Sequence, residues 1–371
     1  MKVRAAVLES VGGQFHVQHL DLAEPRVGEV RVRVLAVGVC HSDWHLVTGD
    51  TRHPMPLVPG HEGAGVVEEV VPSRESRVPS REPISVGDLV ALNWAPNCGS
   101  CFYCTHDRPN LCETYVEAVW AGTMLDGTTR LSRKGEPIYH YSALACFAEQ
   151  CVVPAPCCVK MPADLEPEIA AVIGCAVTTG VGSVINTAQM RSGSSVVVLG
   201  AGGVGLSTVM GAVLAGASSI IAVDPLESRR SAALALGATH VLPKAEPEAI
   251  RELTEGRGAD YVFEAAGTTG LQEVAIDCAR PGGVIVFSGL SPVGSETNIP
   301  GSTLVRQEKT VMGSYYGTAN TAADFPLYAR LYKEGKLPID RLISHRYDLD
   351  QINEAYDDML KGVSVRGVVV F

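Results

Sequence analysis

Hydrophobic and polar positions follow one rhythm in the first part of this chain and another in the middle. Up to about residue 155 apolar residues alternate with polar ones in short runs such as EVRVRVLAVGV, broken by Gly and Pro, which predicts irregular β structure. From about residue 177 the texture changes to apolar strand, Gly-rich turn and Ala-rich helix, repeated several times. SSVVVLG, SIIAVD, THVL, ADYVFEAAG and GGVIVFSGL read as parallel strands separated by segments long enough for helices, the mark of a doubly wound α/β domain. After about residue 320 come a helical segment, DFPLYARLYKEG, then RYDLDQINEAYDDMLKG and a final strand, VRGVVVF. The expected organisation is a β-rich domain over 1–176, an α/β nucleotide domain over 177–319, and a tail, 320–371, that returns to the first domain. The motif PSRE occurs twice, at 72–75 and 79–82, as a local duplication in a surface turn with no assigned function.

Composition narrows the class. The 371 residues are 46% hydrophobic and 19% charged, an ordinary globular balance with ample material for two cores. A formal charge of −11 disfavours nucleic acid and anionic membrane as partners, since both call for a basic surface. The N-terminus MKVRAAVLES reads as a strand rather than an export signal, and no run reaches the ~18 uninterrupted apolar residues of a spanning helix. Eleven cysteines, several at metal spacing, point to a reducing cytoplasm rather than a disulfide framework. Cys146, Cys151, Cys157, Cys158 and Cys278 fit no ligand pattern and read as small buried hydrophobes.

Two motifs carry chemistry on their own. Cys98, Cys101, Cys104 and Cys112 lie in NCGSCFYCTHDRPNLC, where four soft thiolates on a short loop can surround one tetrahedral Zn²⁺. An iron–sulfur cluster uses similar runs, but the polar, Gly-containing loop and the absence of Pro after the last Cys favour zinc. Such a knot holds a loop and performs no reaction. The second motif is GAGGVG: Gly200, Gly202 and Gly205, with Gly203 and Val204 between them, follow an apolar strand and open a helix. Gly200 permits the turn, Gly202 lets a pyrophosphate approach, and Gly205 lets helix and strand pack closely. A second strand ends in Asp224, nineteen residues after Gly205, where a carboxylate binds a ribose and repels a 2′-phosphate. NAD is therefore expected over NADP, with Arg229 and Arg230 as the residues that argue the other way.

Three further segments are GVCHSDWH at 38–45, GHEGAG at 60–65 and GCAVTTG at 174–180. Cys40, His61 and Cys175 would make a Cys₂His set with an open fourth position, though their spacing is too long for a zinc site to be read from sequence alone. Taken in order with the four-Cys lobe and GAGGVG, these motifs resemble the zinc-dependent medium-chain alcohol dehydrogenases almost end to end. The resemblance implies a GroES-like catalytic domain joined to a Rossmann domain, with the active site in the cleft between them. It implies two zincs and NAD per chain, and hydride transfer from a zinc-bound alkoxide to nicotinamide C4.

By the same resemblance Ser42 takes the alcohol proton and His45 passes it on, Asp43 orients His61, and Glu62 lies beside the zinc. His41, Thr179 and Arg366 match cofactor-contacting positions, Arg366 at the pyrophosphate. Trp94 matches a position that narrows the substrate channel. The roughly 34 residues between Cys112 and Phe147 resemble the long-lobe branch of class I and class III enzymes, which implies a homodimer with a tetramer as the alternative. Class III enzymes carry an Arg four residues after the last lobe cysteine, where this chain has Val116. The expected substrate is therefore a primary or aryl alcohol and its aldehyde, with a mycothiol- or glutathione-type formaldehyde dehydrogenase as the alternative. A zinc-free reductase and a non-enzymatic scaffold protein are disfavoured because Cys40, His61, Cys175, Ser42 and His45 are all present.

Overall fold

A computed structural model of the chain describes residues 1–73 and 82–371. Most of the PSRE duplication thus falls outside the described residues. The chain divides into two units, one of 1–175, 320–335 and 343–371, the other of 176–319 and 336–342.

In the first unit the alternating runs become two sheets. Lys2–Leu8, Phe15–Leu22, Leu131–Arg133, Glu136–His140 and Leu57–Val58 close into a barrel. A seven-stranded sheet runs Cys158–Lys160, Leu89–Leu92, Gly63–Val70, Glu29–Gly38, Gly367–Val370 and His345–Tyr347, with Gln150–Pro154 also pairing onto Glu29–Gly38. Inward Val30, Val32 and Val34 of EVRVRVLAVGV join Leu92, Phe147 and Tyr356 in one core, as a period-2 pattern requires, and Val37 joins them beyond the register shift between Val34 and Ala36. The last strand pairs Val368 with Gly38 and Val369 with Val37, so the C-terminal segment lies against the strand that leads into Cys40. Arg130 is the largest fully buried side chain, and a buried guanidinium needs partners. Its Nε donates to Glu29 Oε2 at 2.8 Å and its Nη2 to Asp126 Oδ2 at 2.8 Å.

The second unit is a six-stranded parallel sheet in the order His240–Leu242, Ser219–Val223, Ser195–Leu199, Ala259–Glu264, Ala279–Phe287, Thr310–Gly313. The five apolar runs read as parallel strands are all there, and a sixth, Thr310–Gly313, adds an edge. The order reverses beside Ser195–Leu199, the switch point at which such sheets bind nucleotides. Residues Pro167–Thr187 form one helical stretch, long and apolar enough to cross a membrane, of whose most apolar window 89% is buried in the protein. That burial is what a core helix shows. The stretch is interrupted by π-helical turns at Ile173–Val177 and Ser183–Thr187.

Candidate active site and metal centres

The four lobe thiols converge. Their sulfurs lie within 4.8 Å of one another, with Cys98 Sγ 4.0 Å from Cys104 Sγ and Cys101 Sγ 3.8 Å from Cys112 Sγ. A tetrahedron built on Zn–S bonds of about 2.3 Å has edges of about 3.8 Å, so the donors stand where a zinc would hold them. Backbone N–H groups aim at the sulfurs, Cys101 N to Cys98 Sγ at 3.3 Å and Cys98 N to Cys112 Sγ at 3.3 Å. Burial alone would raise the Cys98 thiol; hydrogen bonds from Thr114, Ser100 and Cys101 overcome it and bring the thiol down to about 5. Short helices Phe102–Thr105 and Glu113–Ala121 carry the loop, which packs on Tyr115, Val119 and Ala143.

The second cluster is buried and assembled from distant segments. Cys40 ends the turn after Glu29–Gly38, His61 and Glu62 precede Gly63–Val70, and Cys175 sits in the first π-helical turn. π-Turns are frequent at functional sites, where the extra residue redirects a side chain. One ligand atom from each of the four lies within 4.8 Å of all the others. Asp43 Oδ1 accepts the Gly60 N–H at 2.8 Å, and its Oδ2 is 3.0 Å from His61 Nδ1. His61 Nε2 is thereby turned toward the cluster, buried and without a hydrogen-bond partner. Gly60 must be glycine, because its φ is +94° and a Cβ would press on the Phe147 backbone at 2.6 Å.

Charge in this pocket favours a cation. Burial would hold His61 neutral, yet the Asp43 carboxylate and Cys40 outweigh it and raise the imidazole to about 10. Cys40 is pulled well below an ordinary thiol, mainly by a hydrogen bond with Cys175 and against the effect of burial. Two sulfurs and an imidazole, with the carboxylates of Asp43 and Glu62 beside them, make a donor set that fits zinc.

Glu62 is fully buried, and its Oε1 meets Nη2 of Arg366, which is 5% exposed. The guanidinium that the resemblance assigned to a cofactor pyrophosphate is therefore engaged with a carboxylate beside the cluster. Glu62 Oε2 has no partner, and a Cβ at Gly38 would overlap it. Trp94, half-buried against the core, and Tyr141, which sequence reading missed, stand nearly perpendicular to the His61 imidazole at centroid distances of 6.4 and 5.5 Å. Ser42 and His45 share the helix His41–Thr48, both half-buried, while His41 is exposed. His45 Nδ1 is 3.1 Å from Asp50 Oδ2, a partner that no motif announced.

In the second unit Gly200 adopts φ +92°, and a Cβ on Gly205 would overlap the Gly200 carbonyl. A Cβ on Gly202 would meet nothing within 4 Å, so the approach to the helix Gly203–Leu214 is open there. Asp224 is 3% exposed and accepts the N–H of Ala201 and of Leu226, each at 2.9 Å, which ties the acid to the glycine turn. Arg229 Nη1 lies 3.8 Å from Asp224 Oδ2, and Arg230 Nη1 donates to the carbonyls of Asp224 and Pro225. Thr179 is buried in the helix Thr178–Gly182.

Comparison with known proteins joins these features. The model of the alcohol dehydrogenase GroES-like domain matches residues 26–163, and that of the zinc-binding dehydrogenases matches residues 203–334. An NDMA-dependent alcohol dehydrogenase of Amycolatopsis methanolica is 39% identical over 375 residues, covering 100% of this chain and 99% of the relative. The chain belongs to the zinc-type alcohol dehydrogenases of the medium-chain family. It is accordingly an oxidoreductase, with a GroES-like first unit and a Rossmann second unit. An S-(hydroxymethyl)glutathione dehydrogenase of Paracoccus denitrificans, another member, is 36% identical with both chains covered completely. The solved benzyl alcohol dehydrogenase of Acinetobacter calcoaceticus superposes with a TM-score of 0.92 at 31% identity, over 100% of this chain and 99% of that one. Cys175 lies in the interval between the two matched family domains, so its place in the dehydrogenase cluster comes from the fold.

Proposed function

We propose that this dehydrogenase is zinc- and NAD-dependent and interconverts primary or aryl alcohols with their aldehydes. The observation that carries the reading is the buried donor set of Cys40, His61 and Cys175 with the rings of Trp94 and Tyr141 packed at His61. Aromatic rings beside the donor set suit an apolar alcohol, and the benzyl alcohol dehydrogenase likeness supports an aryl one. Cys40, His61 and Cys175 would hold the catalytic zinc, and Cys98, Cys101, Cys104 and Cys112 the structural one. When bound, zinc supplies Lewis-acid polarisation of an alcohol oxygen and the nicotinamide accepts a hydride.

The chain's own residues do the rest. Asp43 fixes the ring of His61 so that Nε2 faces the donor set. Arg366 holds the Glu62 carboxylate in place beside it. Ser42 receives the alcohol proton and His45 carries it toward solvent. Gly200, Gly202, Gly203, Val204 and Gly205 shape the phosphate cradle, and Asp224 takes the ribose and disfavours a 2′-phosphate. Arg230 already spends a donor on two carbonyls and Arg229 lies beside Asp224, which supports NAD over NADP. His41, Thr179 and Arg366 are assigned cofactor contacts by resemblance. A homodimer is favoured by the sheet edge Thr310–Gly313, which pairs on one side only among the described residues. The eleven cysteines form no disulfide among the described residues, which accords with a cytoplasmic protein.

The alternative is oxidation of a formaldehyde–thiol adduct, supported by the S-(hydroxymethyl)glutathione dehydrogenase relative. Against it, Val116 stands 46% exposed on the lobe helix where a carboxylate-gripping Arg would be needed. The test is reduction of NAD and of NADP with benzyl alcohol, ethanol and formaldehyde, each with and without glutathione or mycothiol, and with and without NDMA. Thiol-free turnover of benzyl alcohol with NAD is expected. Turnover of formaldehyde alone, and only with a thiol, would replace this reading with the alternative.

A further inference from the structure

The helix that bears Ser42 and His45 ends in a turn built around His45. Gly49 caps it in the left-handed region at φ 81°, and Thr51 N–H returns to the His45 carbonyl at 3.0 Å. The turn brings Asp50 back along the helix, where its Oδ2 is 3.1 Å from His45 Nδ1. Thr48 Oγ1 donates to the same Oδ2 at 2.6 Å and so also holds the carboxylate. Among the described residues Asp50 is the one carboxylate within 4.0 Å of the His45 ring nitrogens. Both side chains are partly withdrawn from water, at 22% and 33% exposure, so the contact is neither a core pair nor a fully solvated one.

A carboxylate can only accept. A neutral imidazole has one N–H, and this partner draws it to Nδ1, which leaves the Nε2 lone pair as the ring's proton acceptor. The Asp50 carboxyl is held below its ordinary range, first by the Thr48 hydroxyl and then by His45, and is therefore charged at neutral pH. A charged acceptor also stabilises the imidazolium that forms once Nε2 has taken a proton.

We propose that Asp50 is a positioning residue for the proton relay: it orients His45, fixes the Nδ1–H form and so makes Nε2 the basic atom. The proposal rests on the reading of His45 as a relay member and adds to it the partner that makes the ring a one-sided base. In the balance of the step Nε2 gains one proton, Nδ1 keeps its own on Asp50, and no bond to Asp50 forms or breaks.

The test uses the zinc-loaded enzyme and steady-state oxidation of benzyl alcohol in four forms: wild type, Asp50→Ala, His45→Gln and the double variant. Loss of Asp50 is expected to lower kcat about tenfold to a hundredfold, a part of the factor that a positioned general base contributes. Added imidazole buffer should restore much of that loss in Asp50→Ala and in His45→Gln. In the His45→Gln background the Asp50→Ala change should cost less than about twofold, because its effect passes through the ring. Nitrogen-15 NMR of the His45 side chain should show Nδ1–H in the wild type and a shift toward Nε2–H in Asp50→Ala.

If His45→Gln turns over like the wild type, the relay reading fails and the proposal with it. If His45→Gln is slow and Asp50→Ala is not, the relay stands and the role of Asp50 is overturned. An equal loss in both backgrounds with no response to imidazole would make Asp50 a helix-end device only. Asp50→Asn, neutral and of the same shape, replaces the alanine variant if the latter does not fold; it is expected to fall between alanine and wild type, and full activity would overturn the need for charge.

Discussion

The two cysteine-bearing clusters of the first unit offer the same soft donors and are built in opposite ways. The lobe takes four thiols from fifteen residues of chain, three of them partly exposed, and satisfies the sulfurs with backbone N–H groups of the same loop. The other cluster takes Cys40 and Cys175 from positions 135 residues apart, buries every donor and sets an acid, Glu62, where the lobe has its fourth thiol. A closed set of four thiolates fixes a loop. A set of two thiolates and an imidazole, with its carboxylate held back by Arg366, leaves room for chemistry. The difference lies in the fourth group and in what restrains it.

The sharpest way to break that contrast is Cys175→Ser. Turnover is expected to fall by about 10³-fold or more, since several kcal/mol of Lewis-acid stabilisation would be lost at about 1.4 kcal/mol per factor of ten. Cofactor affinity, read by nicotinamide fluorescence, and thermal unfolding should change little. Activity within tenfold of wild type would take the buried cluster out of the reaction.

A second change tests the restraint. Arg366→Met leaves the Glu62 carboxylate buried without its partner, which should cost about 3–5 kcal/mol in chemical denaturation. The double variant with Glu62→Gln should recover part of that loss. A cost under about 1 kcal/mol for the single variant would show that the pair does not hold the acid.

The smallest effect concerns the segment that follows the lobe. His140 is buried, its Nε2 accepts the Arg130 N–H at 2.9 Å, and its pKa is pushed down to about 3, by burial first and then by the charge of Arg130. Its folded value lies below the unfolded value of about 6.5, so the unfolded chain binds more protons between the two. The stability it lends is complete above pH 6.5 and is lost as pH falls toward 3. His140→Gln should therefore weaken the decline in stability between pH 7.5 and 5 by about 2 kcal/mol, measured by urea unfolding at each pH. Parallel curves for the two proteins would remove His140 as the titrating group.

How much of this was legible in the sequence follows the same contrast. The lobe ligands and the glycine turn could be read directly, because each is a short segment whose spacing is itself the geometry. Asp224 could be read too, since strand and turn pin its distance from Gly205. Cys40, His61 and Cys175 could be named only through resemblance, because what joins them is sheet register and a π-turn that no local pattern announces. The Glu62 partner of Arg366 was not legible, because it depends on Val368 pairing with Gly38 across the whole length of the chain. Asp50 was missed although it stands only five residues from His45, because the left-handed turn at Gly49 that brings it back has no functional signature. Thr310–Gly313 was missed as a strand because an edge strand with exposed ends lacks the apolar run of its neighbours. The buried Arg130 breaks the rule that charge lies outside, and only its three-dimensional partners explain it.

Zinc per chain, measured by elemental analysis in the wild type, Cys175→Ser and Cys101→Ala, tests the central claim most directly. Two independent sites of different kind predict two zincs in the wild type and one in each variant, the first variant stable and inactive, the second active in its folded fraction and less stable. Two zincs retained in Cys175→Ser, or a single zinc in the wild type, would contradict it.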